Sequence, residues 1–335
     1  MSEKRPRFSV LMTAYNHQAY VEEALDSVAR QRFRDFEIVV VDDGSTDETP
    51  QRIAAWISRL QQTQPNPVRL LSIANGGQSS ALAQGFAHCR GQYICLLDSD
   101  DRWTEEKLEA VDRAALESPD AGMIGHPLYV IRPDGSRTGD IRPLRARLSD
   151  GDCRELLRTT GRHVAPPGVV IRADIFAQLL PMPTTKFTYG ADAYLTFGAT
   201  LLAPVRALSA PLGEYRLHPG GQYIGRMLSP EGLTRSLELQ RSIAAHFGLE
   251  HVLLRNSFFL RNRFALAKLR GSLSSQLSAF GRLALATVQD RSFGWNTRLA
   301  LLAYWCACLV APAPAFRTLW RYFQSRQTGY GRATG

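Results

Sequence analysis

Asp98-Ser99-Asp100-Asp101 sets three carboxylates in four positions, directly after the apolar stretch at residues 93–97. Extended backbone alternates its side chains, which sends Asp98 and Asp100 to the same side. Two like charges that close repel each other unless a cation or hydrogen bonds compensate. Hard carboxylate oxygens suit Mg2+ or Mn2+ better than zinc. A divalent ion bridging this pair to a diphosphate is the functional reading; a turn that caps a helix introduced by Trp103 and Thr104 is the structural one. Asp42 and Asp43, followed by Gly44, Ser45 and Thr46, pose the same choice. They either begin a capped helix or supply a carboxylate that accepts from a nucleobase N–H, with the face of Tyr15 free for the base to stack on. Asn75-Gly76-Gly77 is a turn in either case, since glycine is the residue that takes positive φ most readily.

These clusters gain meaning from the elements that carry them. Residues 8–12 and 36–41 are apolar runs, the second rich in β-branched side chains, and both read as buried parallel strands. Val21, Ala24, Leu25 and Val28 recur between them at helical spacing. Ser45 and Glu48 have the spacing of a capping box, which predicts a helix from Ser45 through Leu60. A strand over residues 68–73, a helix over 81–88 and a strand over 93–97 follow. Such alternation predicts a doubly wound α/β sheet, mixed but mostly parallel, whose ligands sit beyond the carboxyl ends of its strands. Each cluster above stands just after a predicted strand.

The chain has 40 Lys+Arg and 31 Asp+Glu, an excess of nine, and the excess is not evenly spread. Residues 231–335 hold 14 basic and 4 acidic side chains, which leaves 26 and 27 for residues 1–230. Basicity thus belongs to the tail, and an anionic membrane surface is the partner it points to; the tail's arginines form no nucleic-acid-binding motif. The tail also carries 18 uncharged residues between Arg298 and Arg317, interrupted by Pro312 and Pro314. An interfacial helix fits better than a spanning one, with a buried helix as the alternative. Five cysteines without a CxxC pair argue against a disulfide framework and a structural zinc site, and the apolar stretch that follows the charged Met1–Arg7 is too brief for a signal peptide with a cleavage site. A cytoplasmic protein, peripheral on the inner face of the membrane, is the expected setting.

Taken in order, SVLMTAYN, VVVDDGSTD, NGGQSSALAQG and CLLDSDD resemble the nucleotide-binding half of the family 2 glycosyltransferases, which have the GT-A fold. The resemblance covers residues 8–104. It implies a catalytic domain over residues 1–225, followed by a basic, mainly helical extension over 226–335. It further implies that Thr13, Tyr15 and Asp43 hold the base, with Asn16, Asn75 and Gly77 beside the donor. Asp98, Ser99 and Asp100 would flank the ribose, diphosphate and metal, the metal being Mn2+ or Mg2+. In the second half, Asp192 aligns with the acid that deprotonates the acceptor, although Ala191 replaces the first acid of the usual pair. His218, in Tyr215-Arg216-Leu217-His218-Pro219, matches a segment whose histidine reaches the metal or the diphosphate. The implied reaction is inverting transfer from a nucleotide-diphosphate sugar, a uridine-diphosphate sugar foremost, to a saccharide or lipid-linked saccharide in cell-envelope or extracellular polysaccharide synthesis. Two alternatives stand beside it. A sugar-phosphate nucleotidyltransferase would open with a glycine-rich basic loop, which residues 9–16 lack. A non-catalytic binding module would draw its support from Ala191.

Overall fold

A computed structural model describes residues 5–60, 66–143, 148–160, 168–182, 190–218, 229–290 and 294–328. The chain divides into two compact units, one of residues 1–155 with 163–216 and the other of 156–162 with 217–335. The domain boundary expected at 225/226 lies outside the described residues, as does Pro219.

The first unit runs β1 (Phe8–Ala14), α1 (Val21–Ala29), β2 (Phe36–Asp42), α2 (Thr49–Leu60), β3 (Val68–Ser72), α3 (Gln78–Phe86), β4 (Tyr93–Asp98), β5 (Arg102–Trp103) and α4 (Lys107–Glu117). It continues through β6 (Met123–His126), β7 (Leu128–Ile131), β8 (Arg137–Arg142), α5 (Arg154–Thr160), whose residues from Leu156 on count with the other unit, then β9 (Gly168–Arg172), α6 (Ala173–Gln178), α7 (Ala191–Leu202), β10 (Val205–Ala207) and β11 (Gly213–Arg216). Seven strands form the main sheet in the order β10-β6-β9-β4-β1-β2-β3, and a smaller sheet runs β5-β11-β7-β8. All pairings in the main sheet are parallel except the two made by β9. The fold is therefore α/β, mixed and mostly parallel.

Every residue of β2 is buried, as a strand covered on both faces requires. Val21, Ala24, Leu25 and Val28 of α1 and Ile53 and Trp56 of α2 share one core with alternate residues of β1 and β2. Trp56 also donates its indole N–H to Asp26 across α1 and α2 at 2.7 Å, which satisfies the polar edge of a buried ring. Parallel register sets Thr13 opposite Val41 on one side and Asp98 on the other. The rim where these strands stop thus carries residues from three clusters of the sequence.

Two helix starts differ from expectation, while the strand ends move by one or two residues. α2 begins at Thr49 rather than Ser45, because the Asp47 carboxylate takes the backbone N–H groups of Thr49 and Gln18 while Ser45 Oγ accepts from Asn16 N. Those bonds turn residues 43–48 into a loop laced to the one after β1. α3 begins at Gln78 rather than Ala81, with Gly77 at φ 80° just before it.

The second unit is helical, with α8 (Pro230–His246), α9 (Glu250–Leu253), α10 (Ser257–Arg270), α11 (Leu273–Gln289), α12 (Trp295–Val310) and α13 (Ala313–Thr328). Side chains of Ser229, Asn256 and Ser272 cap α8, α10 and α11 by accepting backbone N–H groups. Leu237, Phe264, Leu283, Trp305, Phe316 and Trp320 fill its core. Among the described residues no helix is long and apolar enough to cross a membrane. The uncharged stretch is divided: α12 stops at Val310 and α13 starts beyond Pro312.

Candidate active site

Four loops meet at the carboxyl ends of β1, β2, β3 and β4, and their own side chains tie them together. The Asn16 carboxamide oxygen accepts from Thr46 N at 2.8 Å, joining the first loop to the second, and Asn16 sits at φ 54°, which asparagine tolerates better than most residues. Asp43 is buried and spends one hydrogen bond of each carboxylate oxygen on the turn after β3, accepting from Gly76 N at 2.8 Å and Gly77 N at 2.9 Å. Burial pushes its carboxyl up, against the pull of those two bonds. Gly44, at φ 69°, fits beneath this turn because a Cβ there would meet Asn75 N at 2.7 Å. Tyr15 stays 39% exposed beside them, so its ring face is available.

The acidic loop after β4 is the electrostatic centre of the unit. Ser99 is fully buried and its hydroxyl lies 2.8 Å from His17 Nδ1. The other ring nitrogen of His17 lies 3.9 Å from an Asp100 carboxylate oxygen. Asp98 lines an open cleft, yet protein crowds it closely. Loss of water there, reinforced by the negative charges of Asp100 and Asp192, pushes its carboxyl up to about 7. Asp192, in the first turn of α7, lines the same recess, and desolvation raises its carboxyl as well. Thr13, Gln78, Asp98 and Asp192 thus share one cavity of about 60 Å³.

Gln78 links the two halves of this recess. Its side chain donates to Asp98, and its carbonyl oxygen accepts Ala191 N at 3.2 Å, which anchors the start of α7. Ala191 itself is fully buried. Behind the acidic loop lies Arg216 of β11, with a side chain wholly shielded from solvent. It donates to the Asp100 backbone oxygen at 2.9 Å, to Pro133 O at 2.8 Å and to Glu23 at 2.7 Å, while its backbone N–H goes to Asp101 at 2.9 Å. A buried guanidinium held by an acid and two carbonyls fixes the loop from below. Arg142, at the end of β8, covers the Tyr215 ring at 4.3 Å and places its charge near Asp101 and Asp192.

The sequence pattern of Glycosyl transferase family 2 matches residues 9–180, just over half of the chain. The chain belongs to that family. An uncharacterized glycosyltransferase of Nostoc sp. is 29% identical over 220 residues, covering 65% of this chain and 67% of that protein. An uncharacterized protein of Mycobacterium tuberculosis is 32% identical over 221 residues, and the match spans 59% of its length. Among solved structures, S. aureus TarS 1–349 in complex with UDP-GlcNAc superposes with a TM-score of 0.61 at 20% identity, covering 96% of this chain and 92% of that one. A mannosyltransferase of Pyrobaculum calidifontis in complex with GDP-Man and Mn2+ gives a TM-score of 0.57 at 20% identity, covering 99% and 86%. The shared fold is GT-A.

Within this family member, the structure brings Thr13, Tyr15, Asn16, Asp43, Asn75, Gly77, Asp98, Ser99, Asp100 and Asp192 to the carboxyl ends of β1–β4, the loops that follow them and the start of α7. His218 stands two residues past β11, at the start of the second unit. Three contributors escaped sequence reasoning. In the sequence His17 stands alone beyond the first apolar run, Gln78 is one polar residue after a glycine pair, and Arg216 meets its partners across 83 to 193 positions of chain. Only the folded sheet joins them.

Proposed function

We propose that this chain transfers a sugar from a nucleotide-diphosphate sugar, a uridine-diphosphate sugar foremost, to the hydroxyl of a saccharide or lipid-linked saccharide, with inversion at the anomeric carbon. The observation that carries the reading is the placing of Asp98 and Asp192 in one recess, tied through Gln78. One carboxylate belongs to the donor loop and the other starts the helix beyond it, as attack by an acceptor on a bound donor requires. The UDP-GlcNAc held by TarS and the GDP-Man held by the mannosyltransferase support a nucleotide-sugar donor.

The base would stack on Tyr15 and accept from or donate to the Thr13 and Asp43 edge, with Asn16, Asn75 and Gly77 shaping the pocket wall. Asp98 and Ser99 would face the ribose and diphosphate. The donor set fits a hard divalent cation: loss of water, reinforced by the charge of Asp100, raises Asp98, and a bound positive charge favours the ionised pair. Asp98, Asp100 and His218 would hold Mn2+ or Mg2+, with His17 beside Asp100 as a further candidate. Such an ion, when bound, acts as a Lewis acid on the diphosphate.

Asp192 is the general base. Its desolvated carboxyl, raised from the usual value, takes the acceptor proton as the hydroxyl attacks. Gln78 holds both ends of this geometry, and Arg142 keeps a positive charge near Asp192. No protein nucleophile is needed. A cytoplasmic location and a role in cell-envelope or extracellular polysaccharide synthesis complete the reading. Asp192→Asn tests it: the variant keeps donor binding but loses about 10²–10⁴-fold in kcat, and full transfer activity in that variant removes the assignment.

A further inference from the structure

The second unit presents an apolar surface that its own core does not use. On α12, Trp305 and Cys308 turn inward and are buried, while Trp295, Leu299, Ala303, Cys306 and Val310 face solvent. Their spacing of four, four, three and four places them along one side of the helix. Trp295 is 64% exposed and Leu299 58%. α11 ends beside α12, since Arg298 donates to Val288 O at 3.0 Å, and it carries exposed Leu285 and Val288 of its own. The Arg298 guanidinium lies over the Trp295 ring at 4.8 Å, so a cation stands at the edge of the apolar surface.

We propose that this α11–α12 face docks on the surface of an anionic lipid bilayer, independently of the transfer reading above. Charge selects the occupant. Residues 251–335 contain 12 Lys+Arg and a single acid, Asp290, and each basic side chain near an anionic surface adds about 1 kcal/mol of attraction. A second copy of the chain is disfavoured by the same count, because a two-fold contact brings two strongly basic segments together. Insertion is shallow, since among the described residues no helix is long and apolar enough to span. Trp295 belongs at the headgroup level, where an indole meets apolar and wet surroundings together.

The fold supplies its own probe. The other four tryptophans, Trp56, Trp103, Trp305 and Trp320, are each at most 7% exposed, and Trp295 alone is open. The full chain is mixed with vesicles of phosphatidylcholine and phosphatidylglycerol, or of phosphatidylcholine alone, and read by co-sedimentation and tryptophan emission. Binding to the anionic vesicles only, weakened by salt, with a blue shift that Trp295→Phe removes while binding persists, is the expected result. Leu285→Ser with Leu299→Ser then lowers the affinity about tenfold or more. Equal binding to both vesicles, binding to neither, or an emission unchanged by bound vesicles overturns the proposal. So does a dimer in sedimentation velocity that the double serine variant dissolves without altering vesicle binding.

Discussion

Lys107 opens α4 with no solvent exposure, its ammonium 3.5 Å from the centre of the Trp103 ring and without a hydrogen-bond partner among the described residues. Burial lowers its pKa from 10.5 to about 7. That displacement of about 3.5 pH units corresponds to about 5 kcal/mol opposing the folded state wherever the unfolded lysine is charged and the folded site must accept a proton. Methionine keeps the unbranched shape and removes the amine, so Lys107→Met raises stability by about 2–5 kcal/mol near pH 6. The sign over pH follows from proton counting. Between about 7 and 10.5 the folded wild type binds fewer protons than the unfolded chain, and its stability rises with pH. The variant has no such gain, so the gap narrows by about 2–3 kcal/mol at pH ~9. Urea denaturation followed through the first unit at both pH values reads it. A variant less stable than wild type near pH 6, or a gap that ignores pH, refutes the reasoning.

Two further predictions concern the rim. The base must be ionised to work and burial raises the Asp192 carboxyl above 3.8, so kcat/KM falls as pH drops through that raised value; a profile flat down to the ordinary carboxylate range contradicts the assignment. Gly44→Ala puts a Cβ 2.7 Å from Asn75 N at a φ of 69°, which costs about 1–3 kcal/mol and lowers the melting temperature; an unchanged melting curve means that the turn relaxes freely.

The parallel sheet and the acidic loop were legible in the sequence because both depend on contiguous residues. FEIVVV is almost wholly apolar since β2 is covered on both faces, and Asp98 closes β4 directly after its last apolar residue, with Asp100 and Asp101 in the loop beyond. The start of α2 was not legible. Ser45 and Glu48 have capping spacing, but Ser45 is taken by Asn16 and Asp47 by Thr49, contacts that exist only once β1 and β2 lie side by side. The smaller sheet escaped for a related reason: β5 has two residues and pairs with β11 more than a hundred positions later. Nor does composition show that Lys107 is buried or that Arg216 holds the Asp100 loop, because nothing adjacent in sequence requires either. Gln78 was visible as a residue and opaque as a role until α7 was seen to begin against it.

Calorimetric titration with uridine-diphosphate sugars in Mn2+ and in EDTA tests the central claim, that carboxylates at the strand ends hold a cation and through it a diphosphate. Binding in Mn2+ that disappears in EDTA, and that Asp100→Asn weakens by about tenfold or more, is the predicted result. Equal affinity with and without the metal, in wild type and variant alike, contradicts it.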